Sequence, residues 1–195
     1  MVQQVILLHN SLTVQWHENA SYKPIIKESW LELVAEQHGY NFDLWHEEDN
    51  AREPGALDAV VAQTKRTIDA LNQKRNDTIT QLDIVLNESV FKATKDCLAL
   101  PFNSETVGSI VDRLSIASLK EFHMQEQLQR SDVSHQHIQS CAGALHSLQT
   151  QKKDLATSLQ ILCDDIANQR KYNKIYQQFK MYNDPNLNPK IYKSK

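Results

Sequence analysis

Apolar residues recur every three or four positions along most of the chain, which is the spacing of one face of an α-helix. We predict a first helix that ends at about Glu18, a second from Pro24 to about Glu53, and a third that begins near Leu57. Pro24 suits a first helical position because its missing N–H would have no partner there. The Pro54-Gly55 pair marks a turn between the second and third helices.

The third and fifth predicted helices carry heptad seams, with seam positions alternately four and three residues apart. The third helix has Leu57, Val61, Thr64, Ile68, Leu71, Arg75, Thr78, Leu82 and Val85 in its seam, and the fifth has Ile138, Cys141, Leu145, Leu148, Lys152, Leu155, Leu159, Leu162 and Ile166. Between them, Asn103-Ser104 can cap a fourth helix that runs to about Arg130, and Ser131-Asp132 can cap the fifth. The pattern predicts an all-α fold, an elongated antiparallel bundle of about five helices.

Composition agrees with this fold class and suggests one domain. The chain has 195 residues, 41% of them hydrophobic, and only four glycines and five prolines to supply the turns of a sheet. The apolar run Val5 to Leu8 is too short for a membrane span and follows no basic region, so we expect a cytoplasmic protein without a span. Three widely spaced cysteines favour reduced thiols over disulfides or a zinc site.

The charge is unevenly distributed. The overall formal charge is −3, but the segment 171–195 together with Arg170 carries seven basic residues and one acidic residue, a local charge of +6 that leaves −9 for the rest. Tyrosines alternate with lysines in this segment, a composition that could stack on bases and neutralise phosphates. We expect instead that this segment docks on the acidic bundle 1–170, so nucleic-acid binding is the less favoured interpretation.

The main candidate site lies where two helix faces change from apolar to polar. On the third helix Arg75 occupies the seam itself, beside a stripe of Lys65, Asp69, Asn72 and Asn76. The end of the second helix carries the facing polar residues. The candidate ligand-binding residues are Trp45, His46, Glu47, Glu48, Asp49, Arg52, Lys65, Asp69, Asn72, Arg75 and Asn76.

These groups have two possible roles, because charges taken from water must pair or bind something. One is a structural lock, in which Arg75 pairs with Glu48 or Asp69 and the amides complete the network. The other is a pocket, in which Arg75 holds an anion, Glu48 or Asp69 acts as a catalytic base, and Glu48, Asp49 or Asp69 binds magnesium. Glu47 is a further candidate for the last two roles. Magnesium is the cofactor we consider possible.

Other cofactors are not expected. His46-Glu47-Glu48-Asp49-Asn50 would be a zincin motif only with His at position 50, and the chain has no Glu-x-x-His pair for a di-iron centre. No Gly-rich phosphate loop is present either. We therefore expect no zinc, haem or flavin.

Three stretches of the chain resemble a known family. They are 44–52 (LWHEEDNAR), 65–77 (KRTIDALNQKRND) and 179–189 (FKMYNDPNLNP), which match in order the bacterial domain-of-unknown-function family 4254. The resemblance implies a compact bacterial helical protein with a tail folded onto it. It also suggests an association with envelope glycan or nucleotide-sugar metabolism, without implying an activity.

Our leading hypothesis is a binding or accessory protein with a polar inter-helix pocket for a small anionic ligand. The same hypothesis includes self-association through a heptad face. The alternatives are an enzyme acting on a phosphorylated or nucleotide-linked substrate with carboxylate-bound magnesium, and a nucleic-acid-binding protein that uses its basic tail.

Overall fold

The protein is an all-α bundle, as the sequence pattern predicts. The computed structural model describes residues 1–93, 99–176 and 186–192. Its elements are α1 (Val2–Glu18), α2 (Ser29–Asn50), α3 (Asp58–Val85), a π-helical turn (Leu86–Val90), α4 (Val107–Leu128), α5 (His135–Ala167) and the short α6 (Pro189–Tyr192). In the described residues there is no strand, and one isolated bridge joins Phe102 to Tyr172.

The predicted helices exist, but several of their ends are displaced. The second helix begins at Ser29, not Pro24, because Trp30 and Leu33 pack on the core whereas Ile25 is 96% exposed, so an earlier turn would have nothing to pack on. The caps predicted for α4 and α5 also lie too early. Thr106 Oγ1 accepts a hydrogen bond from the Ser109 amide, and Ser134 Oγ accepts one from the amide of His137.

The bundle is built from two helical hairpins and α1. Helix α2 packs most extensively on α3, and α4 on α5, while α4 also contacts α1, α2 and α3 and so lies at the centre. At about 1.5 Å per residue, α3 and α5 are rods of about 42 and 50 Å. The core joins apolar side chains of every long helix, including Val5, Val34, Leu82, Leu114, Leu159 and Leu162.

Lys152, a polar position of the fifth-helix seam, is buried and connects three helices. Its ammonium group donates to Asn10 Oδ1 on α1 at 2.7 Å and to Glu121 Oε2 on α4 at 2.8 Å. Lys152 therefore fixes the position of α5 relative to α1 and α4.

The N-terminus of α4 is held by groups from distant parts of the chain. Asp83 Oδ1 accepts from the Gly108 amide at 2.7 Å and from Asn173 Nδ2 at 3.0 Å, and Asn173 Oδ1 accepts from the Val107 amide at 3.0 Å. Asn87, in the π-helical turn, donates to the Asn173 carbonyl at 3.0 Å. Asn173 is 2% exposed, so the start of the C-terminal segment is part of the packed structure.

Candidate functional site

A cleft of about 350 Å³ opens between α2, α3 and α4, at the place where the polar stripes converge. Its surface is mostly apolar and carries a few charged and amide groups, the usual makeup of a small-molecule site. The lining residues are Asn41, Leu44, Trp45, Glu48, Asp49, Asn72, Arg75, Ile116, Leu119 and Lys120. We call it the Arg75 cleft.

Arg75 contacts polar side chains of α4 and α2. Its Nε lies 3.8 Å from Asp112 Oδ1, and its Nη1 donates to Asn41 Oδ1 at 3.4 Å. The same Asp112 oxygen accepts hydrogen bonds from Gln37 Nε2 and, at 2.9 Å, from Asn41 Nδ2. Among the described residues, the buried Nε of Arg75 has no hydrogen-bond partner, so Arg75 has an ion-pair neighbour but retains donor capacity.

A chain of hydrogen bonds runs from the cleft into the core. Asn41 Nδ2 donates to Ser115 Oγ at 2.9 Å, and Ser115 Oγ lies 2.7 Å from His38 Nδ1. His38 Nε2 lies 3.0 Å from Thr13 Oγ1, whose hydroxyl donates to the His9 carbonyl at 2.8 Å. Because the Thr13 hydrogen is used by that carbonyl, His38 Nε2–H donates to Thr13 and Ser115 donates to Nδ1, which assigns the neutral tautomer.

Burial keeps the two core histidines neutral. The ring of His9 stacks on that of His38 with centroids 4.6 Å apart, and both residues are 0% exposed. Burial lowers the pKa of His38 to about 3 and lowers the pKa of His9 well below its usual value. Neither ring nitrogen of His9 has a hydrogen-bond partner within the described part of the chain.

Aromatic and histidine rings form the wall beside the cleft. The Trp45 indole stacks on His123 with centroids 4.4 Å apart and planes 10° apart, and His123 Nδ1 lies 2.7 Å from Glu126 Oε2. His46 lies next to His17 and His123, with ring centroids 5.4 and 6.2 Å away. Burial, followed by these two histidines, lowers the pKa of His46.

The structure brings together five of the eleven candidate residues. Trp45, Glu48, Asp49, Asn72 and Arg75 line the cleft. His46 lies in the ring cluster next to it. The remaining candidates, which are not among the lining residues, are Glu47, Arg52, Lys65, Asp69 and Asn76.

The predicted partners of Arg75 were wrong. Glu48 pairs with Arg52 at 2.5 Å and Asp69 with Lys65 at 2.6 Å, each within one turn of its own helix. Such i,i+4 pairs form without tertiary structure, so these two carboxylates are occupied locally. The carboxylate nearest Arg75 is Asp112 of α4.

Sequence reasoning missed the contribution of α4. Lys120 lines the cleft and Asp112 lies beside Arg75, and both belong to a helix on which we predicted no polar residue of interest. A signal was present: Ser115 lies four residues from both Val111 and Leu119 on the buried face of α4, and a hydroxyl there requires partners. Asp112, three residues before it, extends that polar spot toward α3.

Comparison with known proteins was informative at the family level. A family model described as "Protein of unknown function (DUF4254)" matches residues 31–175. The chain belongs to this family. No curated protein and no solved structure gives a match. The DUF4254 match begins in α2 and ends after Asn173, so it contains every lining residue of the Arg75 cleft, whereas α1 lies outside it.

In this DUF4254 protein we also searched the described residues for metal-binding groups and for membrane-spanning helices. Over residues 1–93, 99–176 and 186–192, no three His, Cys, Asp or Glu side chains are grouped so that they could hold a metal ion. In the same residues no helix combines the length and apolarity needed to cross a membrane.

The beginning of the basic C-terminal segment interacts with the body of the protein. Arg170 and Lys171 pair with Asp165 at 2.8 and 3.0 Å, and the Lys174 ammonium lies 4.2 Å from the Phe102 ring centroid. These positive charges are occupied by contacts within the protein, whereas a nucleic-acid site would need them to bind phosphates. Phe179, Lys180 and Tyr182, which belong to the third family motif, lie outside the described residues, so docking of the whole tail stays a prediction.

Proposed function

We propose that this protein is a cytoplasmic binding or accessory protein whose Arg75 cleft takes a small anionic ligand carrying a phosphate or carboxylate group. The observation that carries the proposal is that two cationic residues, the partly buried Arg75 and Lys120, line the same cleft. A guanidinium so placed binds oxyanions through charge-assisted hydrogen bonds.

The other lining groups suggest what the rest of the ligand resembles. Trp45 offers a flat apolar surface, and Glu48 and Asp49 can accept hydrogen bonds from hydroxyl groups. Asn41 and Asn72 can orient polar substituents. Within this cleft, the set suits a head group that carries hydroxyl substituents, such as a phosphorylated sugar, better than a bare inorganic anion, which agrees with the association that the family resemblance suggests.

The cytoplasmic assignment draws its support from the thiols. Cys141 and Cys163 are free and buried, and burial raises the pKa of the Cys163 thiol to about 12. Unpaired cysteines are typical of a reducing compartment. Self-association through a heptad face stays a prediction.

The binding proposal is tested by titrating the full chain with inorganic phosphate, sugar phosphates and nucleotide sugars, with calorimetry as the readout. We expect one class to bind, and Lys120→Gln to weaken it about fivefold, the effect of losing one partly exposed ion pair. Arg75→Lys should weaken it further because the planar fork is lost while the charge remains. Lys153→Gln, an exposed lysine of α5 outside the lining, is the matched control. Equal affinity in the parent and Lys120→Gln would contradict the proposal.

An enzyme is the second candidate, and the observation that favours it is the presence of Glu48 and Asp49 in the same cleft as two cations. Asp69, the other candidate base, pairs with Lys65 and is not a lining residue, so it loses support. Glu48 and Asp49 would hold magnesium, which would supply positive charge to stabilise a reacting phosphate. Turnover of the bound ligand with magnesium that is abolished by Glu48→Gln, with binding retained, would decide for the enzyme.

A further inference from the structure

A second cleft adjoins the Arg75 cleft, between α2, α4 and α5. It has a volume of about 600 Å³ and a mostly apolar surface. Its lining residues are Trp45, Lys120, His123, Met124, Gln127, Ala144, Ser147, Leu148 and Gln151. We call it the Met124 cleft. No carboxylate occurs among these residues, so an anion bound nearby meets no like charge here.

The two clefts are neighbours along α4, and we refer to them together as the groove. Both are lined by Trp45 and Lys120, and α4 supplies residues to the floor from Ile116 in the first cleft to Gln127 in the second. At about 1.5 Å per residue, this stretch of helix is about 16 Å long. Arg75 lies in the first cleft, Lys120 is shared by both, and the surface of the second cleft is mostly apolar.

The residues that line both clefts suit a ligand that extends from the Arg75 cleft into the Met124 cleft. Stacking on His123 fixes Trp45 as a wall of both clefts. Lys120 can lay its apolar stem along the groove while its ammonium group stays at the boundary with the first cleft. Beyond it, Met124 is an unbranched side chain that adapts to flexible apolar chains.

We propose that the ligand is an amphipathic anion, with a phosphate or carboxylate head at Arg75 and Lys120 and a hydrocarbon chain in the Met124 cleft. This inference rests on the proposed function for the head group and adds the chemical class of the remainder. A wholly polar sugar phosphate would occupy the first cleft and leave the larger apolar one in water, whereas a chain would bury it.

The test is a chain-length series on the full protein, with inorganic phosphate and with butyl, octyl and dodecyl phosphate below their micelle concentrations. We expect affinity to rise with length, by up to about fourfold for each methylene that is fully buried, and then to level off when the groove is full. Fatty acids of matched length show whether the head is a carboxylate, and the uncharged alkanols should bind far more weakly than either.

Ala144→Gln provides the matched perturbation. Ala144 lines the Met124 cleft and is half-buried, so the larger polar side chain should remove the gain with chain length and leave phosphate affinity unchanged. Ala142→Gln, at an exposed position two residues away on α5, should keep the gain.

The outcomes separate the two proposals. Phosphate binding without any gain from the chain would overturn this inference and leave the proposed function standing. Alkyl phosphates and alkanols that bind equally well would overturn the charged head, and with it both proposals. A gain with chain length that persists in Ala144→Gln would show that the chain lies elsewhere and would also overturn the inference.

Discussion

Asp112 Oδ1 lies 3.8 Å from Nε of Arg75, so a carboxylate of α4 that does not line the cleft is the ion-pair partner of a guanidinium that does. The two side chains are 13% and 23% exposed. The same oxygen accepts from Gln37 and Asn41 of α2. The structural lock and the pocket that the sequence left as alternatives are therefore compatible: Arg75 takes part in the lock and also lines the cleft.

Asp112→Asn should destabilise the protein by about 1–3 kcal/mol, because it leaves the partly buried Arg75 without its counter-charge while keeping an acceptor of the same shape. Urea denaturation measures the change. A double-mutant cycle with Arg75→Gln should give a favourable coupling between the two side chains.

The control for this cycle is a surface pair between α4 and the segment that precedes it. Arg113 pairs with Glu105 at 2.7 Å, but both side chains are about half exposed, so Glu105→Gln should cost less than about 1 kcal/mol. Equal effects of Asp112→Asn and Glu105→Gln would mean that Asp112 makes no special contribution.

Gly108→Ala should destabilise the protein by about 1–3 kcal/mol, although alanine favours helix. A Cβ at position 108 would lie 2.8 Å from the Ile79 carbonyl oxygen and 2.9 Å from Asp83 Oδ2, which would push α4 away from α3 and from its cap. Urea denaturation of Gly108→Ala and of a control glycine variant measures the change in the free energy of unfolding.

The matched variant is Gly143→Ala on α5, where a Cβ would meet nothing within 4 Å. It should stabilise the protein by about 0.5–1 kcal/mol through helix propensity alone. If both glycine variants stabilise the protein, the close approach at the start of α4 does not constrain it.

The fold was predictable because helix periodicity is a local signal. The seams on α3 and α5 place Ile68, Leu82 and Leu159 in the core, where they are 0–3% exposed. The site was only partly predictable. Local spacing identified Arg75 as a polar seam residue, but its partner is 37 positions along the chain, on a helix whose rotation no local pattern reports. Glu48 and Asp69 are a different case, because their partners Arg52 and Lys65 lie four residues away, a spacing that the sequence itself shows.

His9→Phe should stabilise the protein at pH 7.5 by about 1–2 kcal/mol. The His9 ring is fully buried, and its two nitrogens have no hydrogen-bond partner in the part of the chain that the structure describes, so an apolar ring of similar shape removes a desolvation cost. Denaturation midpoints measure the effect. A loss of stability would show that the imidazole nitrogens are satisfied, for example by bound water.

Acid should destabilise the protein through the same pair of rings. The folded-state pKa of His38 is about 3 and that of His9 is also well below its usual value, whereas both titrate near 6.5 when unfolded. The unfolded chain therefore binds more protons below pH 6.5, so the stabilising contribution is complete above that pH and is lost as the pH falls toward the folded values. Between pH 7.5 and 5.5 we expect each histidine to cost about 1.4 kcal/mol.

A substitution of His9 separates the contributions of the two rings to this loss of stability. His9→Phe should remove about half of the pH-dependent loss, because it leaves His38 as the one core group of the pair that must stay neutral. Replacing the exposed His146, on α5, should leave the pH dependence unchanged because that side chain is solvated in both states. Urea denaturation at the two pH values tests both statements, and a pH dependence identical in His9→Phe and the parent would contradict the assignment of the loss to the buried pair.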